Sequence, residues 1–425
     1  MNPSAKAAKA QENGANATIE TYIAPPPPKN GRIIGLDCHP DSFAAAVFRG
    51  QTPHDARKLA SRDKLPLQAL LQWAKAEFTK EDVFLLEAGG NSFAVCEALT
   101  ELGLRAVVLE SAYVGKHAKT YADNDRMAAA RIALVYLQGG VPCVWIPDSR
   151  TRERRELLHA HSKTVANHTA ATNALKSFLN GHAIRLGKRS LSAKTTRAWI
   201  EKQRDWSQLQ MELLEGYFAD LQYNAGLRSK YVRLIAAEIA NEPLMLRCMK
   251  LLGIGKINAF ALLAIIGDVR RFDRPERLVA YLGLNPGRRD SGDGKRIKVG
   301  LGKRGRGDLR QLLIQAAHAV LRMGKATDMG KWGWKLFARR GNRNIAVAAV
   351  ARKLAVQAWH VLRGNPPTAL EKNKSFVTKL TKLAVVLGKE LRPKLGLGTS
   401  LAECIQKLLT RVQELSSADP TPKPA

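Results

Sequence analysis

Short apolar runs recur in the first third of the chain, each closed by a polar residue. Ile33-Ile34-Gly35-Leu36 ends at Asp37, and Val83-Phe84-Leu85-Leu86 ends at Glu87. Such runs, bounded by turn-forming or charged residues, predict strands buried on both faces. The pattern gives strands at 32–37, 43–48, 83–87, 105–109 and 143–146, with helices at about 66–78 and 91–102. Asp125 opens Asp125-Arg126-Met127-Ala128-Ala129-Ala130-Arg131-Ile132-Ala133, which reads as a further helix. Strands alternating with helices predict an α/β unit over residues 31–147.

The period then changes. From Arg154 to about Asn180, apolar and small residues recur at helical spacing, and two more helical patterns cover 205–221 and 224–240. Strand patterns are lacking here, so 148–245 is expected to be a helical hairpin or coiled-coil arm. Residues 246–365 form another unit, mainly helical. In it Leu252-Gly253-Ile254-Gly255-Lys256 separates helices at 243–251 and 257–266. A loop rich in Gly, Arg and Lys is expected at 285–308, followed by helices at about 308–322 and 344–362. Residues 366–415 add C-terminal helices, broken at Gly396-Leu397-Gly398. Residues 1–30, which end in Pro25-Pro26-Pro27-Pro28, and residues 416–425 read as disordered tails.

Charge sharpens this picture. Lys and Arg number 68 against 37 Asp and Glu, a formal net charge of +31. A solvated basic surface, a nucleic acid and an anionic membrane are all compatible with such an excess. Nucleic acid is favoured, because neutralising phosphates releases counterions and rewards dispersed cations. The five cysteines are widely spaced with no C-x-x-C pair, which fits reduced thiols and argues against structural zinc. The N-terminus lacks the apolar core of a signal peptide, and the apolar stretch 259–266 is too short to span a bilayer. A soluble, cytoplasmic, nucleoid-associated protein is therefore expected.

Against this basic background the acids Asp37, Glu87 and Asp125 stand out. An acid placed directly after a buried strand lies at the sheet's edge, where residues distant in sequence meet. Two-metal phosphoryl transfer needs carboxylates that hold Mg²⁺ ions about 3.5–4 Å apart. Two acids three or four positions apart on one helical face are the usual complement. Here that face carries Asp125 and, three residues on, Ala128. Each acid is also consistent with simply ending a strand or starting a helix.

Three further constellations are basic. In Gly283-Leu284-Asn285-Pro286-Gly287-Arg288-Arg289-Asp290-Ser291-Gly292-Asp293-Gly294-Lys295-Arg296, Ser291 lies among glycines and cations. It is a candidate nucleophile, with Arg288, Arg289, Lys295 and Arg296 stabilising a phosphorane, or else an ordinary turn serine. Residues 285–310 carry nine Lys/Arg, among them Lys303, Arg304 and Arg306, against three Asp. Gly253, Gly255 and Lys256 fit a helix-hairpin-helix whose backbone amides meet a phosphate, and fit a plain turn equally well. Lys331, Lys335, Arg339, Arg340 and Arg343 surround Trp332, Trp334 and Phe337, as in stacking interfaces or in a packed core with solvated charges.

Taken in order, these pieces resemble the DEDD insertion-sequence transposases. These are relatives of the Piv-type DNA invertases, described as bridge- or seek-RNA-guided recombinases. The likeness rests on Ile33–Asp37, Leu85–Glu87, Asn124–Ala129, Gly253–Gly255, Ile266–Phe272, Gly283–Pro286, Asp290–Gly292 and Ala346–Leu354, and covers about residues 31–365. It implies a RuvC-like (ribonuclease H-like) N-terminal domain, a coiled-coil arm and a transposase domain bearing a serine. It also implies Asp37, Glu87 and Asp125 as Mg²⁺ (or Mn²⁺) ligands, and Ser291 as nucleophile. The partners implied are donor and target DNA, a non-coding guide RNA, and further copies of the chain in a dimer or tetramer whose acids and serine come from different subunits.

One departure matters. The family carries Asp where this chain has Ala128. An engineered substitution and a natural degenerate copy both account for it, and the otherwise intact match favours the first. The expected activity is RNA-guided DNA cleavage and rejoining. A junction-resolving nuclease and a catalytically inactive nucleic-acid-binding variant are the alternatives. An actin-like ATPase is disfavoured because no Asp-Gly-Gly phosphate loop follows the acids.

Overall fold

The structure is a computed structural model that describes residues 22–117, 124–290, 296–302, 305–365 and 373–417. The chain divides into two compact units, one ending at Pro147 and the other beginning at Asp148.

The first unit is a mixed sheet with helices on both faces. Its strands are β1 (Tyr22–Ile23), β2 (Ile33–Cys38), β3 (Phe43–Arg49), β4 (Arg57–Leu65), β5 (Val83–Glu87), β6 (Arg105–Leu109) and β7 (Pro142–Cys143). They lie in the order β1-β7-β6-β5-β2-β3-β4. Strands β2, β3 and β4 form an antiparallel meander, and β5 and β6 join β2 in parallel. The helices are α1 (Leu67–Glu77), α2 (Ser92–Glu101), α3 (Ser111–Gly115) and α4 (Asp125–Leu137). This arrangement is compatible with a RuvC-like fold.

Strand parity sorts the side chains. Ile34, Leu36, Phe84 and Leu86 pack with Leu70, Trp73, Val95 and Leu99 of α1 and α2. Ile33, Val83 and Leu85 pack on the other face with Ala129, Ile132, Ala133 and Tyr136 of α4. Gly35 shares that second face, and a Cβ there would collide with the Ala129 carbonyl and lie 3.0 Å from Ala133 N. Glycine in the strand and alanines on the helix therefore allow backbone-to-backbone approach.

The strands expected at 83–87 and 105–109 are found as expected, and those at 32–37 and 43–48 each shift or extend by one residue. The strand expected at 143–146 shrinks to Pro142–Cys143, followed by a single bond from Val144 N to Val108 O (2.7 Å). Strand β4 had no apolar signature, because as an edge strand it is largely exposed, with residues such as Arg57, Lys58, Arg62, Asp63 and Lys64. Within the expected N-terminal tail, Tyr22–Ile23 pairs with β7. Residues 1–21 and 418–425 lie outside the described residues.

The second unit is mostly helical. Helices α5 (Ser149–Gly181) and α7 (Gln208–Asn241) pack along each other as an arm, with α6 (Lys194–Glu201) near its tip. At 33 and 34 residues they are each about 50 Å long. The arm's outer end has its own small core of Leu175, Leu179, Ile184, Ile200, Leu214, Phe218 and Leu221. At its base Arg154 donates to Glu238 (3.0 Å) and Glu242 (2.9 Å). The two helices expected at 205–221 and 224–240 are one. The buried Asn224 that interrupts the apolar pattern donates its side-chain amide to Asp220 O on its own helix (2.8 Å).

The remaining elements share one core: α8 (Pro243–Met249), α9 (Lys256–Ile266), α10 (Pro275–Tyr281), α11 (Gly307–Met323), α12 (Asp328–Arg340), α13 (Arg343–Leu362), α14 (Asn373–Lys394) and α15 (Leu401–Ser417). Residues 285–308 are not simply a loop. β8 (Pro286–Asp290) and β9 (Arg296–Leu301) form an antiparallel hairpin. The apolar stretch 259–266 is buried on every side as part of α9. Helix α13 is longer, and by length and composition alone it is apolar enough to cross a membrane. Here Val347, Val350, Ala351, Leu354, Ala355 and Ala358 bury one face of it in the core. All five cysteines are free.

The close approach at Gly35 is open to test. Gly35→Val should destabilise the chain by about 2–4 kcal/mol in urea unfolding, since backbone rather than a flexible side chain must move. Gly90→Ala, whose Cβ would meet nothing within 4 Å, should be close to neutral. Equal stability of the two variants would contradict the packing described.

Candidate functional site

Asp37, at the end of β2, follows Ile33 and Gly35 on the α4 face, and Glu87, at the end of β5, follows Val83 and Leu85 on the same face. Helix α4 covers that face and begins at Asp125. The Asn124 side chain caps it, accepting from Met127 N (2.9 Å). Arg126 then reaches Asp63 of β4 (2.7 Å), fixing the helix start from the meander side.

His39, which the sequence pattern did not bring forward, sits between two of the acids. Its Nε2 is 3.2 Å from Asp37 Oδ2 and 3.4 Å from Asp125 Oδ1. Ligand atoms of Asp37, His39 and Asp125 lie within 4.8 Å of one another, so the three could hold a metal ion. The available signal was the two-residue spacing across Cys38, which puts Asp37 and His39 on one side of a strand end. Asn91 Nδ2 donates to the His39 carbonyl (2.9 Å), tying this end of β2 to the start of α2.

Burial raises the Asp37 carboxyl pKa, His39 opposes the rise, and the charge of Asp125 adds to it. Burial and then the charge of Asp37 raise Glu87, and Arg131 opposes. Mutual repulsion among acids that are partly out of water is what a bound cation relieves. The Cys38 thiol is pushed up to about 12 by burial and by Asp37, so it offers no thiolate to a softer metal. Ala128 sits one turn into α4, partly buried, its N–H bonded to Asn124 O (2.9 Å). It brings no oxygen ligand.

The basic candidates belong to the second unit. Gly253 has φ +71°, and a Cβ there would lie 2.7 Å from Ala316 O, so the α8–α9 turn packs directly on α11. Gly255 is the extended residue before α9, and Lys256 is its first helical residue. Burial lowers the Lys256 ammonium pKa, and the nearby charges of Lys382 and Arg228 lower it further. Lys382 and Arg228 were not among the sequence candidates, because α14 and α7 bring them from distant segments. Arg288, Arg289 and Arg296 lie on the β8–β9 hairpin. Arg306 is bonded to Asp308 through Nε (3.2 Å) and Nη2 (2.6 Å). Trp332 packs against the core with Lys353 Nζ 3.9 Å from its ring centre, while Trp334 donates its indole N–H to Leu321 O (2.8 Å). Trp332 is therefore partly covered by packing, whereas Trp334, bonded through its ring edge, remains exposed. Ser291, Lys295, Lys303 and Arg304 lie outside the described residues.

Residues 246–329 match the profile described as "Transposase IS116/IS110/IS902 family". The transposase for insertion sequence element IS1111A of Coxiella burnetii is 25% identical over 329 residues, 71% of this chain and 87% of that protein. The transposase for insertion sequence element IS1328 of Yersinia enterocolitica is 23% identical over 284 residues, 66% of this chain and 83% of that protein. The pilin gene-inverting protein of Moraxella lacunata is 29% identical over 115 residues, 27% of this chain and 35% of that protein. The chain falls among the transposases of mobile elements. Residues 246–329 carry the likeness to the IS116/IS110/IS902 transposases.

The raised carboxyls fix the sign of a pH effect. Glu87 holds its proton more tightly folded than unfolded, so its ionised form opposes folding above the folded pKa. That opposition fades as pH falls toward the ordinary value of 4.5. Glu87→Gln should therefore raise the melting temperature in chelator at about pH 7.5, with the gain shrinking toward about pH 4. A gain that is equal or larger at low pH would contradict the assigned cause.

Proposed function

We propose that this transposase is an RNA-guided DNA recombinase. In this reading the first unit is a RuvC-like domain whose Asp37, Glu87 and Asp125 hold Mg²⁺. The observation that carries it is Asp37 clustered with His39 and Asp125 at the end of a sheet face that Glu87 also ends on, in a chain whose residues 246–329 match a transposase family. The donors fit a hard divalent cation, being carboxylate oxygens with one imidazole nitrogen, and that nitrogen suits Mn²⁺ as well. A bound ion would offset charge developing on a DNA phosphate. On binding, His39 Nε2 would exchange its contacts with Asp37 and Asp125 for the ion.

Ser291 is the nucleophile in this reading. Its Oγ would bond to phosphorus as the DNA strand's sugar oxygen leaves, and reversal with a new strand end would rejoin the DNA. The cations of the β8–β9 hairpin, the Gly253–Gly255 turn and Lys256 would hold the phosphate backbone. A non-coding RNA would choose donor and target by base pairing, and the chain would act as a homo-oligomer. The gathered charges of Lys256, Lys382 and Arg228 support polyanion binding, because their repulsion falls when phosphate arrives.

Two experiments test this. Ala128→Asp supplies the missing carboxylate and should produce Mg²⁺-dependent cleavage of cognate DNA with its RNA. In that background Ser291→Ala should abolish the covalent protein–DNA adduct, and products should be rejoined recombinants. Free cleaved ends without an adduct would instead mark a junction-resolving nuclease.

Gly255→Asp tests the hairpin separately. A side chain there meets nothing within 4 Å, and aspartate is a favourable residue before a helix. The variant should keep or gain thermal stability yet bind duplex DNA about tenfold more weakly, as expected for an added charge at a phosphate contact. Unchanged affinity would remove the hairpin from the interface.

A further inference from the structure

Where α8 turns into α9, three carbonyl oxygens converge on one ammonium. Lys379 Nζ, from α14, donates to Met249 O (2.8 Å), Leu251 O (3.1 Å) and Ile254 O (2.8 Å). These acceptors are the first, third and sixth residues of a single six-residue stretch. A lysine ammonium carries three N–H donors and no acceptor, so one side chain matches three inward-pointing carbonyls. Backbone bonds within this turn include Lys250 N to Arg247 O, Leu251 N to Cys248 O and Ile254 N to Leu251 O. Converging carbonyl dipoles repel one another, and a cation at their focus makes the arrangement favourable. The donor is 125 to 130 residues away in sequence, so neither the turn nor α14 reveals the pairing alone.

We infer that Lys379 is a built-in cation of the Gly253–Gly255 hairpin, standing where a potassium-sized monovalent ion would otherwise bind. Partly dehydrated monovalent ions are held by backbone carbonyls in this way. With its charge supplied in cis, the turn is fixed without an external ion, and the amides at the start of α9 keep the orientation that meets a phosphate. Lys379 is thus a positioning residue. One turn further along α14, Lys382 adds its charge beside Lys256. The inference rests on the hairpin's proposed role in binding DNA.

The test uses the full chain and its Lys379→Ala and Lys379→Met variants. Each is measured for affinity to a fluorescent DNA duplex and for thermal melting, in KCl, NH₄Cl and LiCl at equal ionic strength. The parent should behave alike in all three salts. Lys379→Ala should bind about tenfold more weakly in LiCl and recover most of that loss in KCl or NH₄Cl, with melting temperature following the same order. Lys379→Met fills the cage with a methyl group, so it should fold and bind weakly with no salt rescue. Absence of cation selectivity in both readouts of Lys379→Ala overturns the inference. If Gly255→Asp still weakens binding in that case, the hairpin's role stands and only the role of Lys379 fails. If melting is cation-selective while neither Lys379→Ala nor Gly255→Asp changes affinity, the built-in cation stands and the hairpin's role fails.

Discussion

The contact on which the acid cluster depends is the one between Gly35 and the backbone of α4. Without a Cβ at Gly35, the helix seats its Ala129 and Ala133 turns directly on β2. That depth fixes how far the helix start stands from the strand end, and so places Asp125 against His39 and Asp37. The remaining restraints are weaker and point the same way. The Asn124 cap sets the first turn, and the Asp63–Arg126 pair holds it from β4. A larger residue in the strand would leave all three acids present and their geometry lost.

Both charged clusters set like charges together at partly dehydrated positions. Asp37 and Glu87 are pushed up by burial and by neighbouring acids, and Lys256 is pushed down by burial and by neighbouring cations. Neither arrangement favours folding, and each becomes favourable when the opposite charge binds. Stability given up at a preorganised site is the usual trade against binding and catalysis. The free cysteines do not share this character, since burial holds thiols such as Cys38 and Cys248 in their protonated form.

Asp37 and Glu87 were legible because each closes an apolar run, and parity along β2 and β5 carries them to one face. His39 was equally accessible by parity, but a histidine after Asp-Cys has no apolar pattern to mark it. Strand β4 was hidden because an exposed edge strand alternates weakly and carries charge. The patterns at 205–221 and 224–240 are one helix, through which buried Asn224 bonds back to Asp220 O. The helix–turn–helix around Gly253 was plain from its glycines. The ammonium that fixes it was not, because three main-chain oxygens leave no trace in side-chain identity. The carboxylate of Asp308 likewise could not be foreseen as the partner that occupies Arg306.

Ala128 has to be weighed against this electrostatic frame. A fourth carboxylate one turn into α4 would add negative charge to a face that already raises the proton affinity of Asp37 and Glu87. Its absence lowers the repulsion within the folded chain, and in the proposed reading it would also lower the charge available to hold a second divalent ion. The basic turn before α9 does not draw on those acids, since its restraints come from α11 and α14. In the proposed reading, grip on a phosphate backbone and metal-dependent cleavage would therefore rest on separate residues. In that reading Ala128 would weaken the second while leaving the residues proposed for the first in place.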